Sequence, residues 1–290
     1  MNHRALQRAL VVAQYDPDVI FAELVAEAAA CGGSAGALGA ADLAELARLD
    51  RRALRTDPLR RRRLLRTLSE EYKASTTLLL AETRSLGGIE TFFVGPTFRR
   101  AILGDTSLAV AFGAFLAEAA RHAQTPQLAG VVALEWTRAA SRRAARLAPR
   151  ADVALAPGVA VLVVDASVLP AVQAVERYLF EVGLMPQVAL CDDAPRLPPL
   201  GALAGTDEHF IFQPAGTEVA LSPIDADLHR VLAAFTTSTP RAEATARLTA
   251  AGIPAARAPE VLSGLLLEGL LTEGPPAAAP RLAGGQDVGR

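Results

Sequence analysis

The residue types that carry most enzyme chemistry are few and scattered in this chain. Its four histidines, His3, His122, His209 and His229, fall in no His-Glu-x-x-His or comparable ligand spacing, so each reads as a surface or packing residue. Cys31 and Cys191 lie far apart and form no Cys-x-x-Cys pair. Neither a disulfide framework nor a thiolate metal site is supported, and a reducing cytoplasm fits best. No Gly-x-x-x-x-Gly-Lys phosphate loop occurs, and the glycine-rich stretch from Cys31 to Gly39 follows a helical pattern, the wrong context for a dinucleotide fingerprint. The sequence therefore assigns the chain no catalytic set, no metal site and no cofactor of its own.

Two clusters stand out for binding. Trp136 is the only tryptophan, and Glu135 ends the apolar run from Val131 to Leu134, where an unpaired carboxylate would be costly. Arg138, at i+3 from Glu135, is a candidate partner. Glu135, Trp136, Arg138 and Arg142 are taken as a partner interface, against the alternative of an interhelical salt bridge with an aromatic plug. Phe92, Phe93 and Phe98 could equally anchor a bundle or form a protein–protein hot spot, and they join the same interface. A free-standing enzyme using Glu135, Arg138 and His122 is the weaker reading, because spacing alone gives these groups no mutual geometry.

The elements that must position these residues follow from periodicity. With 290 residues, 51% apolar and 21% charged, the chain has material for about two domains with buried cores. Helical spacing runs from Ala5 to Ala30, with Asp16 as a cap and Pro17 at a first helical position, and again from Ala41 to Leu54. A further helix starts at Asp57-Pro58 and carries Arg60 to Arg63 and Arg66, a basic cap read as a solvated face or a docking surface. Segments 69–84, 96–103, 108–120 and 128–147 complete a helical bundle over residues 1–150. From residue 151 the pattern changes: Gly158 to Asp165 reads as a buried strand and Leu169 to Gly183 as a helix. His209 to Gln213 and Thr217 to Leu221 flank Pro214-Ala215-Gly216 as a hairpin. Helices follow at 226–235, 240–251 and 258–273, and the Pro/Ala/Gly-rich segment 275–290 reads as a disordered tail. The fold class expected is α+β: a helical bundle, then a small winged-helix-like domain with a short antiparallel sheet over residues 151–274.

Charge divides the same way. Residues 1–150 carry 21 basic and 15 acidic side chains, residues 151–290 carry 8 and 16, and of all the basic residues only Lys73 is lysine. The acidic second half is poorly suited to a phosphate backbone, which weakens a winged-helix transcription regulator in which segment 258–273 would enter a DNA groove. Asp16, Asp18, Glu23 and Glu27 interrupt the first apolar stretch, so no secretory signal is read. The longest apolar run, Val159 to Val164, is far too short for a bilayer. A cytoplasmic protein with no membrane and no nucleic-acid partner is expected.

The order from Thr217 to Gly274, a strand and then three short helices, resembles the winged-helix-like modules that recognise leader peptides of ribosomally made peptide natural products. Further residues sharpen the resemblance: Glu71-Tyr72, Leu86-Gly87-Gly88-Ile89-Glu90-Thr91-Phe92-Phe93, Phe98, Ile102-Leu103-Gly104, the run Leu108 to Phe112, Phe115-Leu116, and Leu134-Glu135-Trp136 with Arg142-Arg143-Ala144. Over residues 60–274 the chain is similar to the partner subunits of the multinuclear non-haem iron oxygenases, the family that includes the methanobactin and 3-thiaglutamate biosynthesis partners. The resemblance implies a non-catalytic subunit of a heterodimer. It would bind a precursor peptide by its leader for post-translational modification and present the core, a cysteine, to a separate subunit that holds the iron.

The leader is expected to add as a strand beside His209, Ile211 and Gln213 or beside Thr217, Val219 and Leu221, with Leu228, Val231 and Leu232 as an apolar wall. An assembly adaptor with no peptide ligand would share the docking surface and lack only the leader.

Overall fold

The computed structural model describes residues 3–30, 38–55, 57, 59–144, 152–183, 185–190 and 195–274. Cys31, Cys191 and the expected tail over 275–290 lie outside them. Helices and short antiparallel sheets are both present, an α+β architecture. The chain forms two compact units, Met1–Ala139 with Val164–Glu208, and Ala140–Val163 with His209–Arg290. The sequence reading kept 151–274 together. The difference arises from long-range packing: residues 164–208 include a helix whose Val168 occupies the place of a side chain at Gly130, so closely that an added Cβ there would overlap it. Local periodicity carries no record of that approach.

The first unit is helical: α1 (His3–Tyr15), α2 (Phe21–Ala30), α3 (Ala40–Ala47), α4 (Arg51–Leu54), α5 (Arg60–Glu71), α6 (Lys73–Thr83), α7 (Gly87–Glu90), α8 (Pro96–Gly104), α9 (Leu108–Ala120), most of α10 (Leu128–Ala144) and α11 (Val168–Val182). Pro17 does not open a helix as its type suggests. Arg51 donates to the carbonyls of Pro17 and Val19 at 3.1 Å and lies 4.9 Å over the Phe21 ring, so this stretch makes tertiary bonds and α2 starts only at Phe21. Asp16 is buried instead, and burial raises its pKa, with Arg99 3.8 Å away. The helix expected over Ala41 to Leu54 is broken at Asp50, whose carboxylate accepts from Arg52 N–H and caps α4.

Arginine holds these short helices together. A helix leaves its last carbonyls without internal partners, and guanidinium donors satisfy them. Arg61 donates to Tyr15 O at 2.5 Å and Arg60 to Gln14 O at 3.4 Å, capping α1, while Arg8 donates to Leu103 O at 3.0 Å near the end of α8. Much of the basic run at 60–63 is therefore a device for closing another helix, with Arg63 paired to Asp57.

The core of this unit is a chain of aromatic rings. Tyr15 stacks on Phe93 at 5.5 Å and meets Phe98 edge-on at 5.1 Å; Phe92 contacts Phe98 at 5.4 Å and Phe112 at 5.1 Å; Phe112 meets Tyr72 at 5.5 Å. Phe92, Phe93 and Phe98 have no exposed surface. This corrects their assignment to a partner interface: edge-to-face packing inside the bundle uses all three. Asp165, the last residue of the strand that precedes α11, accepts from Ser167 N and Oγ, Ala204 N and Gly205 N. These bonds hold its carboxyl down at about 2 and fasten the chain at Ala204 and Gly205.

The second unit contains β1 (Val153–Leu155), most of β2 (Ala160–Asp165) and β3 (Asp207–Ala215), then β4 (Glu218–Ile224), α12 (Ala226–Ala233), α13 (Arg241–Ala250), α14 (Ala258–Leu267) and β5 (Leu271–Glu273). Ile211, Val231, Leu232, Phe235, Leu248, Leu262, Leu265 and Leu271 form its core. The helix expected over 258–273 stops at Leu267. Gly269 then takes φ +68°, a turn conformation that suits glycine, and Leu271–Glu273 returns as a strand paired antiparallel with β1.

Gly113 on α9 marks a second close approach within the first unit, since an added Cβ would overlap both Trp136 and the Tyr72 hydroxyl. Gly113→Ala is expected to destabilise the chain by about 1–3 kcal/mol through overpacking, read as a lower urea midpoint at unchanged m-value.

Candidate functional site

Glu135 is buried, and its place explains how a carboxylate is tolerated there. The helical pattern expected to run unbroken from Ser69 to Arg84 is interrupted at Tyr72, where φ −118° and ψ +50° end α5 and start α6. The new N-terminus would leave Ala74 and Ser75 N–H without partners. Glu135 of α10 accepts both at 2.9 Å, one on each carboxylate oxygen, and takes the Ser75 hydroxyl at 2.5 Å. A side chain 60 residues away in sequence thus acts as the cap that no local residue supplies. Tyr72 itself is buried, and its hydroxyl donates to Ala109 O at 2.7 Å. Burial is the largest influence on Glu135 and raises its pKa from 4.5 to about 7, against the bonds from Ser75 and Ala74 and the field of Arg138.

These facts correct the sequence reading of this cluster. Glu135 faces α6 inside the bundle, not a partner, and its acceptor oxygens are occupied. Arg138 is exposed and acts on it through space. His122 lies in the turn after α9 and is exposed, so the set Glu135, Arg138 and His122 has lost its acid to a helix cap. Trp136 is partly exposed and lines a shallow groove of about 480 Å³ with Thr97, Arg100, Gly104, Val110 and Ala114. Its Nε1–H is buried and finds no acceptor among the described residues. Arg142 lies in the second unit and pairs with Glu218 at 2.9 Å, both side chains reaching solvent.

The strand residues divide sharply. The sheet has the order β2-β3-β4, so β3 is its central strand. His209, Ile211 and Gln213 lie on this central strand rather than on the end strand, paired with β4 at Ile224, Ser222 and Ala220, and Ile211 is buried in the core. His209 packs on His229 of α12, ring centroids 4.8 Å apart, and the His229 pKa is lowered by burial and by His209. Val231 and Leu232 are core residues too, leaving only Leu228 of the expected wall partly exposed. Thr217 lies in the turn. Val219 and Leu221 do lie on β4, the end strand.

Which groups of β4 face outward follows from the hairpin. Gly216 and Thr217 join the strands, with positive φ at Gly216 alone, a type II′ turn. The pair flanking a two-residue turn, here Ala215 and Glu218, is hydrogen-bonded, and pairing alternates from there. The pairs Gln213–Ala220 and Ile211–Ser222 then carry the ladder. Val219, Leu221 and Pro223, opposite Pro214, Phe212 and Phe210, turn their backbone groups away from it. Pro223 fits this parity, since proline is tolerated in a strand where its nitrogen points off the edge. The free edge therefore offers two donors, at Val219 and Leu221, and three carbonyls. Pro223 is the signal in the sequence that marks β4 as an edge strand.

Among the described residues no group of three or more His, Cys, Asp or Glu is arranged to hold a metal, and no helix is long and apolar enough to cross a membrane. No family model, curated protein or solved structure matches the chain.

The buried cap makes stability depend on pH. A Glu135 pKa of about 7 when folded, against 4.5 unfolded, means the folded state holds the extra proton between those values. Its contribution is fully present below pH 4.5 and is lost as pH rises through 7, an effect on the order of 3 kcal/mol. Urea unfolding from pH 4.5 to 8 should show this decline, and Glu135→Gln should flatten it. Glu135→Ala should cost about 2 kcal/mol at neutral pH by leaving two helix donors unsatisfied.

Proposed function

We propose that this chain is a non-catalytic partner protein. It holds a ribosomally made precursor peptide by its leader, as an added strand on β4, and presents the core, a cysteine, to a separate multinuclear iron oxygenase. The observation that supports this reading best is the free edge of β4 beside a fully packed interior. The chain's candidate acid is committed to a helix cap and its candidate hot-spot phenylalanines to the core, while the outward backbone groups of Val219 and Leu221 suit an added strand. The succession β3, β4, α12, α13, α14 supports a winged-helix-like module. The oxygenase itself enters from the family resemblance.

In this mechanism the chain supplies affinity and position. Backbone bonds to Val219 and Leu221 fix the leader, and the rigid hairpin fixes the distance from leader to core. Iron, held by the companion, supplies the oxidative chemistry. Trp136 and Arg138, the members of the expected interface that reach solvent in the first unit, are the residues offered to that companion. A transcription regulator has no comparable support, because the solvent-facing side of α14 carries Glu260 and is followed by Glu268, with Arg257 alone before it.

The test is co-expression with a multinuclear iron oxygenase and a short precursor peptide that carries a leader and a cysteine-containing core. An iron-containing complex of all three should co-purify. Val219→Pro, which removes an outward donor without touching the β3–β4 ladder, should release the precursor and retain the oxygenase. Undiminished precursor on Val219→Pro, or turnover of the peptide by the lone metal-stripped chain, would overturn the reading.

A further inference from the structure

Resting on the β4 docking edge, we propose that the peptide segment held there is an antiparallel tripeptide core with apolar, polar, apolar side chains, and that this alternation is the sequence feature the edge selects. The two outward donors, at Val219 and Leu221, are two residues apart, so two residues of an antiparallel strand, also two apart, exchange paired bonds with them. Beyond Leu221 the edge offers a carbonyl at Pro223 but no donor. Before Val219 the chain enters the hairpin turn at Gly216 and Thr217. The ladder is therefore short, and affinity beyond two paired residues must come from side chains.

Side-chain chemistry follows from the same parity. Residues paired across an antiparallel ladder project to the same face. The paired peptide residues thus lie on the face that carries Val219 and Leu221 of β4 and Phe210 and Phe212 of β3, of which Val219, Phe210 and Phe212 are buried. Apolar side chains extend that face. The residue between them projects to the opposite face at the edge, level with Ala220, which is exposed and flanked by exposed Glu218 and half-buried Ser222. A polar side chain is at home there. Shifting the peptide by one residue would exchange the faces, placing its apolar groups beside Glu218 and Ser222, so the register is specified.

Fluorescence polarisation with two fluorescein-labelled peptides of the same composition tests this on the full chain: Lys-Val-Ser-Val-Lys and its isomer Lys-Ser-Val-Val-Lys. The alternating peptide should bind about tenfold tighter. N-methylation of either valine of the alternating peptide removes a donor to β4 and should weaken binding about fivefold or more. N-methylation of its serine, whose N–H points away, should change binding less than about twofold. Val219→Pro should abolish the preference. Equal binding of the two isomers, with both lost on Val219→Pro, would overturn the alternation rule while leaving the edge as the docking site. Binding of both unaffected by Val219→Pro would overturn the edge itself. Absence of binding by the alternating peptide at millimolar concentration would show that the pattern does not define a ligand and would also overturn the proposal.

Discussion

The carboxylate of Glu135 at the start of α6 is the contact on which the helical unit depends. The break at Tyr72 turns the chain between α5 and α6 and exposes two backbone donors in the interior. Only an acceptor brought from another helix relieves them, and α10 brings it with both oxygens in place. Around that point Tyr72 reaches Ala109, and Trp136 lies against Gly113. The aromatic chain from Tyr15 to Phe112 continues outward from the same centre. One buried carboxyl group thus ties α6 to α10, and the neighbouring tyrosine ties it to α9.

That arrangement limits the chemistry open to the chain. A carboxyl raised toward neutrality by burial is a common sign of a general acid, yet a catalytic acid needs a route to substrate. Glu135 spends its oxygens on Ala74 and Ser75, and it lines none of the surface grooves described. The shifted pKa comes from taking a helix cap out of water. In the other unit the sheet ends at β4, whose Val219 and Leu221 turn their backbone groups away from β3.

Periodicity made most helices and the β3–β4 hairpin legible, because apolar spacing and a glycine in a two-residue turn are local signals. Breaks were less legible. Tyr72 has no helix-breaking residue type, and its interruption is stabilised by a partner remote in sequence. Pro17 carries the local signature of a helix start, but Arg51 takes the surrounding carbonyls. The position of β3 as central strand depends on β2, which is separated from it by a helix and a long connection. No reading of residues 209–213 alone could reveal that their strand lies between two others. The phenylalanines at 92, 93 and 98 have the composition of a hot spot and of a core alike, and only burial distinguishes the two.

The use of arginine to close helix ends has a practical corollary. Guanidinium forks reach carbonyls at Gln14, Tyr15, Pro17, Val19 and Leu103, and the chain has almost no lysine. Lys73, exposed at the first position of α6, is the only side-chain amine. A succinimide dye or amine cross-linker therefore attaches, among side chains, at one address beside the buried cap, giving a single-site reporter without engineering.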